Sequence, residues 1–404
     1  MISLEEALEK VTNGVEPLTT ELVSIAEAHG RVLAEDVESR FTQPPSAVSS
    51  MDGYAVIAAD TQTTPASLDL IGESAAGGSY DGLVTSGKTV RIFTGAPLPQ
   101  GADAVVMQEN TERDGNRVKI LEGVGQGNFI RPAGMDFNQG EVLLPKGRRL
   151  SARDIGLAAA MNRPWLTVTR RPRIAILATG NEVVMPGDPV GPNQILSSNS
   201  LSLAAMVRAF GGEPLNLGIA KDDENSLHLM VAGAEKADLL ITIGGASVGD
   251  YDLVQSVLGK EGLKLDFYKV AMKPGKPLIF GHVKGTPILG LPGNPVSANV
   301  TGLIFMRAAM EVMLGRPFAG LETTTAPLTV DVPENGPRKE FMRATIETTK
   351  DGAWGVNPFE AQDSALLARL AAADCLVIRP PHASAAKAGE RVEIILLPKG
   401  ELSF

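Results

Sequence analysis

The chain has 404 residues, 44% of them hydrophobic, which is ample for roughly two to four domains with separate cores. Its formal net charge of −10 excludes bulk nucleic-acid binding, although a small anion remains open to locally placed Lys, Arg or helix N-termini. No stretch approaches the ~20 apolar residues of a membrane span and the N-terminus lacks a basic leader, so a cytoplasmic protein with no membrane or nucleic-acid partner is expected.

In chain order, the first forty residues read as helical. Leu4, Ala7, Leu8 and Val11 recur at helical spacing, and a second helical run is expected over Leu22 to Leu33. Gln43-Pro44-Pro45-Ser46 ends that pattern. Short β-like runs follow, at Thr89–Phe93, Ala104–Met107 and Arg117–Leu121, with the turn Asp114-Gly115-Asn116 between two of them. They predict a small inserted β domain over 44–139. The flanking pieces, 1–43 and 140–168, form a discontinuous linking domain with helical and extended parts, where Ser151 caps a helix over 151–163.

Residues 169–317 predict an α/β domain. Ile174–Ala178 is a buried strand, and a helix at about 200–210 stops at Gly211-Gly212. Strand 215–219, helix 224–236, strand 239–243, a helix near 252–260 and strand 267–272 come next. A hairpin through Ile279 and Ile288 then leads into a long helix over 295–314. Strands alternating with helices predict a parallel, doubly wound sheet. Residues 318–404 return to β texture as a C-terminal barrel-like domain, with runs at 328–330, 344–346, 375–378 and 392–395 and one helix near 364–372. The expected fold class is multidomain α/β plus β.

Ligands of open α/β sheets bind beyond the carboxyl ends of the strands. Three such ends carry glycine-rich, polar loops: Thr179-Gly180-Asn181-Glu182, the run Gly244, Gly245, Ala246, Ser247, Val248, Gly249, Asp250, and the run Pro292, Gly293, Asn294, Pro295, Val296, Ser297. Any one of them is ordinary turn chemistry. Together they point to a sizeable anionic ligand such as a nucleotide or phosphorylated heterocycle. Acids cluster near the same ends. Glu182, Asp222 and Asp252 read either as oxygen ligands of Mg²⁺ or as local caps, whereas Asp223 and Asp250 read as caps. Lys273-Pro274-Gly275-Lys276-Pro277 is a stiff positive turn, either solvated or suited to an oxyanion. Four scattered histidines and one cysteine exclude a zinc-finger site, and Cys375 reads as a core residue.

These motifs, in order, resemble those of the molybdopterin molybdotransferase family, which includes bacterial MoeA and the C-terminal domain of gephyrin. The resemblance extends to Met51-Asp52-Gly53-Tyr54-Ala55, Thr94–Pro99, Gly101–Val105, Arg131–Asp136 and Arg338–Arg343, and so covers essentially the whole chain. It implies insertion of molybdate into adenylated molybdopterin with Mg²⁺-dependent release of AMP. The pterin-adenylate would lie on Thr179, Gly180, Gly244, Gly245, Ser247, Gly249, Pro292, Gly293, Asn294 and Pro295. Molybdate would be held by Lys273, Lys276, Ser297, Arg338 (or Arg343) and Ser364. Glu182, Asp222 and Asp252 would be the catalytic and metal-binding acids. Asp52, Thr94 and Asp136 would complete the crevice of a partner subunit in a homodimer, and transient contact with the pathway's adenylyltransferase is implied. Asn181 stands where many members carry Asp, and no metal role is assigned to it. The alternatives are a tungstate-inserting homologue, a CinA-like nucleotide pyrophosphatase and a non-enzymatic scaffold.

Overall fold

The computed structural model describes residues 1–221, 223, 226, 233–234, 236–244, 259, 262–348, 352 and 354–397. The helices expected over 224–236 and 252–260 lie largely outside them. Among the described residues no helix is long and apolar enough to cross a membrane.

The central sheet has six strands, in the order Glu213–Ala220, Arg173–Thr179, Leu239–Ile243, Thr286–Leu291, Pro277–Val283 and Lys264–Lys269. The first four run parallel, as the alternating pattern predicts. Pro277–Val283 is antiparallel to both of its neighbours, so the sheet is mixed rather than purely parallel. The reason is local: the turn at Lys284-Gly285, with both residues at positive φ, folds the chain straight back and leaves no room for a crossover helix. Ile174, Ile176, Leu239, Ile241, Leu289 and Leu291 are buried among Val300, Phe305 and Met310 of the covering helices. The long helix expected over 295–314 is present, but as two α segments, Pro295–Thr301 and Arg307–Met313, joined by a π turn at Gly302–Met306.

The first helix, Leu4–Asn13, is capped by Ser3 and buries Leu4, Ala7 and Val11. Those residues enter the core of the α/β sheet beside Phe280 and Met313, away from the linking elements. Residues 22–33 are not helical, contrary to their spacing. Thr20–Ser24 is a strand paired antiparallel with Trp165–Thr169, followed by one 3₁₀ turn at Ile25–Glu27. A ladder to residues some 145 positions away thus overrides a local apolar period. Ala152–Ala160 does form a helix, and Ser151 caps it through a reciprocal box with Asp154.

The inserted sheet runs Ala104–Met107, Gly53–Val56, Lys88–Ile92, Ala66–Ser74, Arg117–Ile120 and Thr111–Asp114. Alternate residues bury on its two faces, Tyr54, Val56 and Val106 on one and Ala55, Val90 and Val105 on the other. In the C-terminal unit the strand expected at 328–330 lies instead at Thr324–Pro327, pairing with Arg391–Leu396. Leu328 then bridges Val356 and the Thr329 N–H donates to the Val356 carbonyl, curling the sheet round Val356, Cys375, Val377 and Ile394. The other edge of this sheet is Met272–Lys273, which belongs in sequence to the α/β region and pairs with Lys339–Thr348. The strand expected over 267–272 is therefore two short ones in different sheets.

Candidate active site

The central strands Arg173–Thr179, Leu239–Ile243 and Thr286–Leu291 are neighbours in the sheet, with Ala178 opposite Ile243 and Ile243 opposite Leu291. Their carboxyl ends therefore deliver Thr179-Gly180, Gly244 and Pro292-Gly293-Asn294 side by side. The loops are tied together: the Gly244 N–H donates to the Leu291 carbonyl at 3.1 Å, and Thr179 Oγ1 donates to the Ile243 carbonyl at 3.3 Å. Gly180 takes φ +136° and Gly244 takes φ +89°, backbone that side chains rarely adopt. A Cβ on Gly180 would sit 2.7 Å from Glu182 Oε2, so the Glu182 carboxylate folds back over that glycine.

These loops form one wall of a cleft of about 650 Å³, a volume typical of small-molecule sites. Lys273, Gly275 and Lys276 form another wall, while Ser297, Arg338, Gln362 and Ser364 also line it. Gly275 has φ +105°, and a Cβ there would meet Thr301 Cγ2 at 2.4 Å, so only glycine lets this turn pack on the long helix. The Lys273 ammonium lies 2.7 Å from Glu340 Oε1. Among the described residues the Lys276 ammonium has no ion-pair partner, which leaves it to the cleft. Arg338 Nη1 donates to the Met272 carbonyl at 3.4 Å.

The C-terminal unit enters the cleft through the loop 359–366. Arg343, 1% exposed, lies beneath that loop and donates from Nη2 to the Asp363 carbonyl at 2.9 Å. Gln362 exchanges two hydrogen bonds with the Arg343 backbone. The loop then docks on the helix start: Asn294 Nδ2 donates to Ser364 Oγ at 2.8 Å, and the Val296 N–H donates to the Ser364 carbonyl at 3.0 Å. Of the two arginines considered, Arg338 faces the cleft and Arg343 is a buried support. Burial pushes the Arg343 guanidinium down, with Glu340 and then Asp363 pushing it back up.

Of the residues singled out from sequence, Thr179, Gly180, Glu182, Gly244, Lys273, Lys276, Pro292, Gly293, Asn294, Ser297, Arg338 and Ser364 share this lining, and Pro295 starts the helix beneath it. Asp222, Gly245, Ser247, Gly249 and Asp252 lie outside the described residues. Asp52, Thr94 and Asp136 belong to the inserted β unit and are absent from the lining. Asp52 Oδ1 accepts from the Thr94 N–H at 2.7 Å and from Thr94 Oγ1 at 2.8 Å, and these two bonds hold its pKa below the usual carboxylate value. Asp136 is exposed.

Sequence reasoning overlooked Asn199 and Glu340. Asn199, in the first turn of the helix Ser198–Ala209, lines the cleft and donates from Nδ2 to the Gly293 carbonyl at 2.7 Å. Its only sequence signal was a Ser/Asn run ahead of a helix. Glu340 stood inside the Arg338–Arg343 motif without a partner to suggest a role. Cys375 is a core residue, as its apolar setting predicts. Burial pushes its thiol up to about 12, far from a neutral-pH nucleophile.

Family models match three consecutive stretches of the chain. Residues 2–162 match the MoeA N-terminal region (domains I and II), 175–311 a probable molybdopterin binding domain, and 325–397 the MoeA C-terminal region (domain IV). A molybdopterin molybdenumtransferase of Nostoc sp. is 36% identical over 94% of this chain and 89% of its own length. The chain belongs to the MoeA family. A molybdopterin molybdenumtransferase of Haemophilus influenzae is 32% identical over 98% of both chains. The crystal structure of the molybdopterin biosynthesis MoeA protein from Pyrococcus horikoshii OT3 superimposes with a TM-score of 0.84 at 29% identity, covering 98% of this chain and all of that one. Family membership thus spans all the units described above, including the inserted and C-terminal β units that a bare α/β pyrophosphatase would lack.

Proposed function

We propose that the cleft binds adenylated molybdopterin together with molybdate and acts as a molybdopterin molybdenumtransferase, joining the metal to the pterin dithiolene with release of AMP. The observation that carries this reading is the convergence of Lys273, Lys276 and Arg338, from two domains, beside glycine loops on three adjacent strand ends. Phosphates suit glycine loops that let a ligand approach the backbone closely, beside the ammonium groups of Lys273 and Lys276. The exposed side chains of Ile195 and Leu196, which also line the cleft, offer apolar surface to a flat heterocycle.

Molybdate is a dianion and its co-substrate carries phosphates, so bringing them together is an electrostatic problem. Lys273, Lys276 and Arg338 neutralise the oxyanion, while Ser297 and Ser364 donate hydrogen bonds to its oxygens. An oxygen nucleophile, from molybdate or water, attacks the pyrophosphate linkage and AMP departs. Where water attacks, two thiols then replace one oxo group of molybdate, which leaves as water. Where molybdate attacks, the two thiols break the Mo–O bond of the bridge and that oxygen stays on the pterin phosphate. In neither case does the oxidation state change. Position and charge supply the catalysis, without a covalent enzyme intermediate.

Glu182 is an oxygen donor of the type Mg²⁺ takes, and it reaches the cleft beside the phosphate-type loops. Among the described residues no three His, Cys, Asp or Glu side chains gather as a metal site, and Asp222 and Asp252 would complete the set. Mg²⁺ bound there would offset phosphate charge. Asp52, Thr94 and Asp136 are proposed to serve the crevice of a second copy of the chain in a cytoplasmic homodimer that meets the pathway's adenylyltransferase transiently.

The test is AMP release from purified molybdopterin-adenylate with Mg²⁺, with and without molybdate. Molybdate-dependent release, with a product that activates an apo-molybdoenzyme, is expected. Release that ignores molybdate would point to a plain pyrophosphatase, and binding without release to a scaffold.

A further inference from the structure

Lys273 and Glu340 are register partners on adjacent parallel strands, Met272–Lys273 and Lys339–Thr348. The ladder itself therefore places the glutamate beside the lysine. The Lys273 side chain is 46% exposed, whereas that of Glu340 is only 12% exposed. Lys273, Arg338 and Gln362 line both the main cleft and a smaller annex of about 340 Å³. Glu340 lines only the annex, together with Glu334 and Glu360. Lys273 and Arg338 thus stand between the cleft and the three annex carboxylates, while Glu182 and Asp363 line the cleft itself.

We propose that Glu340 is a positioning residue that sets how tightly the cleft holds its oxyanion. It fixes Lys273 against the wall, and its charge, placed behind the lysine, keeps the cleft from trapping a tetra-oxo dianion. This rests on the functional reading above and names the residue that tunes it. Catalysis gains only from interactions that strengthen toward the transition state, so over-tight binding of the ground-state anion slows turnover. Removing Glu340's charge has two opposed effects. It frees one lysine side chain, which weakens binding, and it deletes a full charge that repels a dianion across the wall. The second effect scales with the product of the charges and dominates in a partly desolvated cleft.

The experiment uses the full chain and calorimetric titration with molybdate and, separately, with sulfate as an unreactive tetra-oxo dianion, at fixed ionic strength. Glu340→Gln keeps the shape and one acceptor for Lys273. It is expected to lower the Kd for both ions roughly three- to tenfold, and to lower kcat for molybdate-dependent AMP release. Glu340→Asp, which keeps the charge, is expected to stay within about twofold of wild type. A merely structural role would weaken binding and lower the Tm; it would not tighten dianion binding. Weaker or unchanged dianion binding by Glu340→Gln, with wild-type binding intact, overturns the inference and leaves the functional reading standing. Wild-type protein that binds no molybdate overturns both. Should Glu340→Gln fail to fold, comparing Lys273→Gln with the Lys273→Gln/Glu340→Gln double variant repeats the charge deletion in chains that lack the lysine, and tighter binding in the double variant is again required.

Discussion

In the cleft, cations and carboxylates from two domains face one shared space. In the inserted sheet, Asp52 is consumed locally by the backbone and hydroxyl of Thr94. Both regions carry equally recognisable motifs, yet among the described residues it is the first whose motif residues line one cleft. The difference lies in the framework. Three adjacent parallel strands and a strand shared with the C-terminal sheet force distant loops together. In the inserted unit, Asp52 and Thr94 bond to each other and are absent from the lining of the cleft.

The sharpest way to break this comparison is to remove Lys276, the cleft cation with no ion-pair partner among the described residues. Lys276→Ala should lower kcat/KM for molybdate-dependent AMP release roughly 100-fold with an unchanged Tm. A loss below about threefold would remove Lys276 from the oxyanion site. If Asp136 serves a second subunit, co-expressed Lys276→Ala and Asp136→Ala chains should recover activity in mixed dimers that neither variant has alone. Failure to recover, with mixed dimers isolated, would return Asp136 to a local role.

Arg343→Ala tests the support beneath the loop 359–366. It leaves a large void and frees the Asp363 carbonyl, and should cost about 3 kcal/mol in urea unfolding. It should also release Ser364 from the cleft, raising the KM for molybdate. Gly275→Ala should cost about 2 kcal/mol, because φ +105° and the Thr301 contact both oppose a side chain there. A neutral result would mean the turn shifts freely, and the rigid wall would then lose its basis.

The smallest effect belongs to Asp52. Its folded-state pKa is depressed by the Thr94 bonds, so its stabilising contribution is present above the unfolded value and is lost as pH falls through the folded one. The Thr94 amide should therefore shift in NMR spectra only in the acid range, below pH ~4, and Asp52→Asn should abolish that titration. A Thr94 amide insensitive to pH there would show that Asp52 is free for another partner.

Much of the cleft was legible in the sequence because its loops are short, ordered runs at strand ends, where backbone geometry demands glycine and proline. The same holds for the Ser151 cap and the buried strands 174–178 and 239–243, whose determinants are local. Leu22–Leu33 misled because its apolar spacing fits a helix equally well, and only pairing with Trp165–Thr169 makes Thr20–Ser24 a strand. Leu328–Val330 misled by a few residues because ladder register belongs to the partner strand, Arg391–Leu396.

The sequence by itself therefore determined the order of the units, the glycine-bearing loops and the positive turn, since each depends on residues within a few positions of one another. Only the tertiary structure decided that Thr20–Ser24 pairs with Trp165–Thr169, that Arg338 rather than Arg343 faces the cleft, and that Glu340 stands behind Lys273. Those outcomes depend on which strands become neighbours, and register between segments far apart in the chain leaves no local trace in either one.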